Sequence, residues 1–300
     1  MTEFTRIAAT VAVAAGLALV PAAAMASAGS AAGLPAPPGV TAAGPIQYAP
    51  QLHVPRTHLP VRTSPSAETA LPGTFASGNW AGYIDIADPG KTFTYVNTHF
   101  RIPTLSATQL SQCVANAIED PSGVSYAYYW VGLDGWTDNT VEQVGAATYC
   151  DSNGSTGTFA WYEMYPANPV TFTGTHPGDE IAVTVSYAGG KYDMAFADST
   201  SGGHFSSVQP CAAASTCDRS SAEVLTEDPG GGPPVYLAPY GSMSYTSVSA
   251  KASGVTGNLG SSSAWSGSNR IEEEYGAIMQ APAALVSTGT GFSITWQYPF

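Results

Sequence analysis

The chain has 300 residues, 44% of them hydrophobic and only 10% charged, with 9 Lys plus Arg against 22 Asp plus Glu and a formal charge of -13. That balance repels phosphate backbones and anionic lipid, which excludes nucleic-acid and membrane-surface binding as the main activity. The 32 Gly and 23 Pro cut the chain into short segments and exclude a helical bundle or coiled coil.

Residues 1–28 predict a secretory signal: Arg6 in a short polar start, an apolar stretch over 7–20, then Ala24-Met25-Ala26 and Ala26-Ser27-Ala28 as small-residue cleavage sites. The apolar stretch is too short for a membrane anchor, so an extracellular protein with no membrane attachment after cleavage is expected. Residues 29–74 are rich in Pro and Ala and lack strand-like alternation. They read as a pro-segment or linker. Arg56 and Arg62 oppose Glu68 there, with His53 and His58 nearby, whereas six basic residues face 20 acidic ones from Thr74 onward. Such a leader suits either an acidic cleft or a cell-wall spacer.

From residue 75 to 300 the pattern is short runs rich in Thr, Val, Tyr and Trp, separated by Gly, Pro, Asn and Asp. It predicts strands over 80–86, 93–102, 126–134, 141–149, 158–165, 180–187, 192–197, 223–227, 242–250 and 292–298. The one helix-like stretch is 269–280, which carries Glu272, Glu273 and Glu274. The fold class is therefore all-β, a single antiparallel sandwich or barrel over 75–300. Ser, Thr, Gly and Tyr must carry its solubility, and with few ion pairs to lose on acidification the chain suits an acidic medium.

Four cysteines in an exported chain predict disulfides. Three pairings are possible, and Cys113 with Cys150 and Cys211 with Cys217 are preferred because each pair is local and brackets a loop-like stretch. No Cys-x-x-Cys or His-x-x-x-His spacing occurs among the scattered histidines, so no metal site is expected.

Residues i and i+2 of a strand point to one face, which shows which polar groups accompany large aromatics. Glu163 lies beside Trp161 and Tyr165, Trp130 shares a face with Asp134, Gln143 faces away from Glu142, and Glu227 closes a strand on the side of Leu225. Such strands line an aromatic groove with carboxylates and one amide. Glu142, Glu223 and the run Glu272 to Glu274 read most simply as solvated faces.

At these residues the sequence resembles the glutamic peptidases of the eqolisin type, peptidase family G1, and a secreted bacterial member of it. The matching segments are Ser77-Gly78-Asn79-Trp80-Ala81-Gly82, Trp130-Val131-Gly132-Leu133-Asp134-Gly135, Glu142-Gln143-Val144-Gly145, Trp161-Tyr162-Glu163-Met164-Tyr165-Pro166 and Ala222-Glu223-Val224-Leu225-Thr226-Glu227-Asp228, in family order. The resemblance implies a bent, concanavalin A-like antiparallel β-sandwich. It also implies a pepstatin-insensitive, acid-active endopeptidase made as a proenzyme, a monomer acting on protein or peptide substrates without cofactor or metal. Gln143 and Glu227 become the catalytic dyad, supported by Trp80, Trp130, Asp134, Trp161 and Glu163. Two departures stand out: Ala147 where the family carries an acidic residue four positions after the Gln, and the loop Gly135-Trp136-Thr137-Asp138. The residues alone also fit a β-sandwich glycoside hydrolase using Glu163 and Glu227, or a non-catalytic carbohydrate-binding sandwich whose Trp and Tyr stack on sugars.

Overall fold

The computed structural model describes residues 36–49, 73–136, 138–211, 217–229, 237–260, 262–274 and 277–297. The expected signal at 1–28, most of the 29–74 segment, Thr137 and Tyr298 lie outside them. Strands β1 (Val40–Ala43), β2 (Gln47–Tyr48), β3 (Thr74–Ser77), β4 (Trp80–Ala87) and β5 (Phe93–Arg101) precede helix α1 (Ala107–Glu119). There follow β6 (Val124–Leu133), β7 (Val141–Asp151), β8 (Thr156–Tyr165), β9 (Val170–Thr173), β10 (Glu180–Ala188), β11 (Lys191–Asp198), β12 (His204–Pro210), β13 (Ser221–Glu227), β14 (Ser242–Ala252), β15 (Val255–Gly257), β16 (Trp265–Glu274), β17 (Ile278–Pro282) and β18 (Phe292–Trp296).

The pairings form one strip that folds back on itself. One half runs β12-β11-β10-β5-β14 and the other β16-β4-β13-β6-β7-β8-β9, with β18 and β17 joining β14 to β16. Neighbours in this strip are antiparallel; among the described strands β3 alone lies parallel, against β16. The two halves face each other across an apolar core. Val96 and Phe100 of β5, Val183 and Val185 of β10 and Met194 of β11 meet Tyr129 and Val131 of β6, Val144 of β7 and Val224 of β13. This is the all-β sandwich expected from period-2 alternation, and each half buries its inner face on the other.

Both expected disulfides are present, Cys113–Cys150 and Cys211–Cys217. The helix sits elsewhere than expected. Of the stretch 269–280, residues 269–274 lie in β16 and 278–280 in β17, and Asn269, Ile271 and Glu273 are buried in alternation, a strand period. The helix over Ala107–Glu119 instead starts at Ser106, whose hydroxyl accepts from Gln109 N–H while the Gln109 side chain accepts from Ser106 N–H. That reciprocal cap satisfies two of the orphan donors of a first turn. Its inner side buries Cys113, Asn116 and Ala117, and Cys113 ties it to β7. The segment expected to lack strands also contributes two, β1 and β2, for a reason set out below.

Candidate functional site

The strands β4, β13, β6, β7 and β8 turn their second face away from the sandwich core, and that face carries a separate cluster of Trp80, Ile84, Tyr128, Trp130, Val141, Ala147, Phe159, Trp161 and Leu225. Register places these in rows across the strands. The first row reads Gly82, Leu225, Trp130, Gly145, Trp161. Gly145 keeps the two indoles in one row, since a Cβ there would stand 2.1 Å from Tyr129 O and 2.8 Å from Trp130 Cβ. Gly145→Ala should therefore destabilise the fold by about 1–3 kcal/mol, the usual range for overpacking, read as a lowered thermal midpoint. An unchanged midpoint would show that the indoles are not held by this gap.

The second row reads Ile84, Glu223, Gly132, Gln143, Glu163. Gln143 and Glu163 are neighbours across β7 and β8, and the Gln143 amide nitrogen donates to Glu163 Oε2 at 2.7 Å. The amide nitrogen is thus turned toward β8, with the amide as donor. The third row reads Trp80, Glu227, Tyr128, Ala147, Phe159. Glu227 closes β13 and accepts from Asn79 Nδ2 at 3.1 Å, while Asp228 N–H donates to Asn79 O at 2.9 Å. The turn Ser77-Gly78-Asn79 thus grips the end of β13 on both sides of Glu227. Trp80 and Trp130 meet edge to face at 5.5 Å, and Tyr128 tilts against Trp161 at 5.0 Å.

Gln143, Glu163 and Glu227 are all buried, as are the three tryptophans. Of the expected site residues, these six share one face. Asp134 does not follow the alternation that placed it beside Trp130. It lies one residue beyond β6 with φ at 71°, and its Oδ1 accepts from Ser220 N–H at 2.8 Å. Its carboxyl is pushed up to about 7 by burial first and then by the Asp138 charge. The loop after it brings Trp136 onto the aromatic face, edge to face with Phe75 at 5.8 Å. Ala147, where the resemblance implies an acid, sits between Tyr128 and Phe159, whose rings pack at 5.8 Å.

Three glutamates read as solvated are buried instead: Glu142 at 1% exposure, Glu223 at 0% and Glu273 at 1%. Glu142 points into the sandwich beside Tyr192 and Asp134, and burial, then the Asp134 charge, pushes it up to about 9. Glu223 lies on the aromatic face four residues before Glu227, and burial above all raises it well above the usual glutamate range. Glu273 receives the Gln280 amide N–H, and the same amide reaches Thr226 O at 3.4 Å, next to Glu227. Burial, then the Asp228 charge, raises it strongly. A neutral carboxyl needs no counter-ion, which is how a chain so poor in Lys and Arg buries so many of them.

Tyr128 is the residue that motif reasoning missed. Its hydroxyl is buried, makes no hydrogen bond among the described residues, and is raised well above the ordinary tyrosine value by burial first and then by Tyr126, Glu227 and Glu163. It therefore remains a donor. The signal was present, since Tyr128 has the parity of Trp130. Trp161 Nε1 is likewise buried with no acceptor among the described residues. The face thus offers hydrogen-bond donors, an amide and a carboxylate in an aromatic setting. Among the described residues no cluster of His, Cys, Asp and Glu is suited to a metal.

The profile of the peptidase A4 family matches residues 78–294, a span that takes in every residue of these three rows. The chain belongs to the peptidase A4 family. This is the eqolisin, or glutamic peptidase, family that the sequence motifs resemble. Aspergillopepsin-2 of Aspergillus niger is 27% identical over 199 residues, which are 60% of this chain and 66% of that relative. Scytalido-glutamic peptidase with a transition-state-analogue inhibitor superposes with a TM-score of 0.56 at 20% identity, over 73% of this chain and 98% of the other. The eqolisin SCP-B in complex with the tripeptide Ala-Ile-His gives 0.51 at 18% identity, over 73% and 98%. At these identities the structural matches show a shared fold.

Proposed function

We propose that this family member is the precursor of a secreted, acid-active endopeptidase in which Glu227 and Gln143 act on a water molecule. The observation that carries the reading is the placement of both residues on one buried aromatic face within the matched family span. Glu227 takes a proton from water as it attacks the peptide carbonyl and returns it to the leaving amine. The Gln143 amide cannot accept a proton but donates an N–H to the oxyanion of the tetrahedral intermediate. Glu163 orients that amide, so it is a positioning residue. Water is the nucleophile, and no acyl-enzyme forms.

Secretion is supported by the signal-like start, by both disulfides, and by the lack of any helix among the described residues long and apolar enough to cross a membrane. Acid activity is supported by the population of buried carboxyls whose neutral forms the fold favours. The Pro- and Ala-rich segment 29–74 between the signal-like start and the sandwich supports a precursor that is processed. Peptide or protein substrates, a monomeric state and the absence of any cofactor belong to the same reading.

The test is cleavage of a denatured protein by the secreted, matured product between pH 3 and pH 7, with pepstatin and a chelator present. Cleavage that persists with both inhibitors, peaks at acid pH and leaves new amine termini is expected. Absence of cleavage by matured, folded protein at every pH would overturn the reading.

A further inference from the structure

Among the described residues, only 36–49 cover the outer edges of the strip of strands, β9 at the end of one half and β12 at the end of the other. An unpaired edge is a template for another strand. Here both are covered by one short stretch of chain. β1 pairs antiparallel with β12, from Val40 opposite Ser207 to Ala43 opposite His204. Four residues later β2 pairs antiparallel with β9, Gln47 opposite Thr173 and Tyr48 opposite Phe172. Val208 N–H donates to Gly39 O and the Gln209 side chain to Pro38 O, both at 2.9 Å. At the other end Ala49 N–H donates to Thr171 O at 2.9 Å, and Thr171 Oγ1 donates to Ala49 O at 2.7 Å.

Between the two strands a plug enters the core. Ile46 is 2% exposed and belongs to the main apolar cluster. The body of the protein leaves room for it with glycine: a Cβ on Gly203 would come within 2.6 Å of Ile46 Cγ1, and one on Gly174 within 2.1 Å of Pro45 O. The arrangement has the parts of strand-addition recognition, main-chain hydrogen bonds for affinity and a side-chain seat for selectivity. It lies on the outer edges of β9 and β12, and β9 is two strands beyond β7, which carries Gln143.

We propose that the β9 and β12 edges, with the seat at Gly174 and Gly203, form an acceptor site for an extended polypeptide strand, distinct from the aromatic groove and filled in cis by residues 37–49. The ligand it selects is an extended peptide with an aliphatic, β-branched residue at the plug position, flanked by Pro on the N-terminal side. The covalent link holds the segment at high effective concentration, so a cut between Ala49 and Gly73 turns cis occupancy into a measurable equilibrium.

The experiment uses the full-length protein with a recognition site for a specific external protease inserted between residues 50 and 72. After cutting, a fluorescent synthetic peptide of residues 36–49 is titrated in, alongside the same peptide carrying Ile46→Asp. Folding is followed in parallel by circular dichroism. Saturable binding to cut protein, no binding to uncut protein, and at least a tenfold weaker Ile46→Asp peptide are expected. Three results would overturn the proposal: folded cut protein that has shed its own 36–49 fragment and takes up no peptide, equal binding of the two peptides, or unfolding on cutting, which would make the segment an inseparable part of the sheet.

Discussion

Glu227→Gln is expected to abolish proteolysis while leaving the fold intact, and Gln143→Ala to lower kcat about 10²–10³-fold with little change in KM. The first substitution keeps size and shape, and its amide oxygen still accepts from Asn79 Nδ2, so the grip on the end of β13 survives. What it removes is proton uptake. An amide cannot serve as base and then acid, and general acid-base catalysis alone is worth about 10²–10⁴-fold. Gln143→Ala removes an N–H that matters only once negative charge develops on the carbonyl oxygen, hence the effect on kcat. Glu163 provides the internal control. Glu163→Gln lets the Gln143 amide turn over, because its partner then offers both a donor and an acceptor in place of Oε2 alone. Steady-state kinetics on one peptide substrate, with melting curves on each variant, decide the matter. Near wild-type turnover by folded Glu227→Gln would remove it from the mechanism, and a pure KM effect at Gln143 would remove its oxyanion role.

Alkali should unfold this protein, and acid should not. Asp85 is fully buried on the inner face of β4 with Ser268 Oγ donating to it, and burial lifts it from 3.8 to about 8. Asp134 stands at about 7 and Glu142 at about 9, and Glu223 and Glu273 are raised in the same direction. A carboxyl that titrates higher in the fold than in the unfolded chain holds its proton only when folded. Its contribution is intact below the unfolded value near 4 and drains away as pH rises toward the folded value. For Asp85 alone the loss by pH 8 is on the order of 5 kcal/mol at most, comparable to the whole stability of an ordinary domain. Melting temperature should therefore be highest near pH 3–4 and fall steadily through neutrality. Asp85→Asn should move the alkaline unfolding midpoint upward while changing stability at pH 3.5 far less. A melting temperature that rises between pH 4 and pH 8 would contradict the placement of these carboxyls.

Alternation was a sufficient guide wherever a strand buries one face on the core and the other on the aromatic cluster. The strands around Trp80, Trp130, Gln143 and Trp161 are legible for that reason, and so is their shared face. Parity failed at Asp134, because one residue at positive φ redirects the chain. It was misapplied at Glu142, Glu223 and Glu273, where the habit of placing charge in solvent outweighed a pattern that put each on a covered face. The residues 269–280 look helical by composition, but burial over 269–274 has period 2. β1 and β2 could not be read locally at all. Four and two residues long, they gain their conformation from partners more than 120 residues downstream, Ser207 opposite Val40 and Thr173 opposite Gln47.

The middle of the site-bearing sheet is supplied late. β13 enters between β4 and β6, so that Glu227 meets Trp80 on one side and Tyr128 on the other. Within this half of the sandwich those two strands follow one another in the chain, with β5 of the opposite half and α1 between them, yet they do not pair with each other. Until residues 221–227 have left the ribosome there is nothing to join them, and loop closure over such separations must precede any reward from pairing. Folding should therefore be slow and late, with the two halves of the candidate site waiting as unpaired edges on a nascent chain. A truncation before Ser221 is expected to aggregate rather than to form a smaller stable sheet.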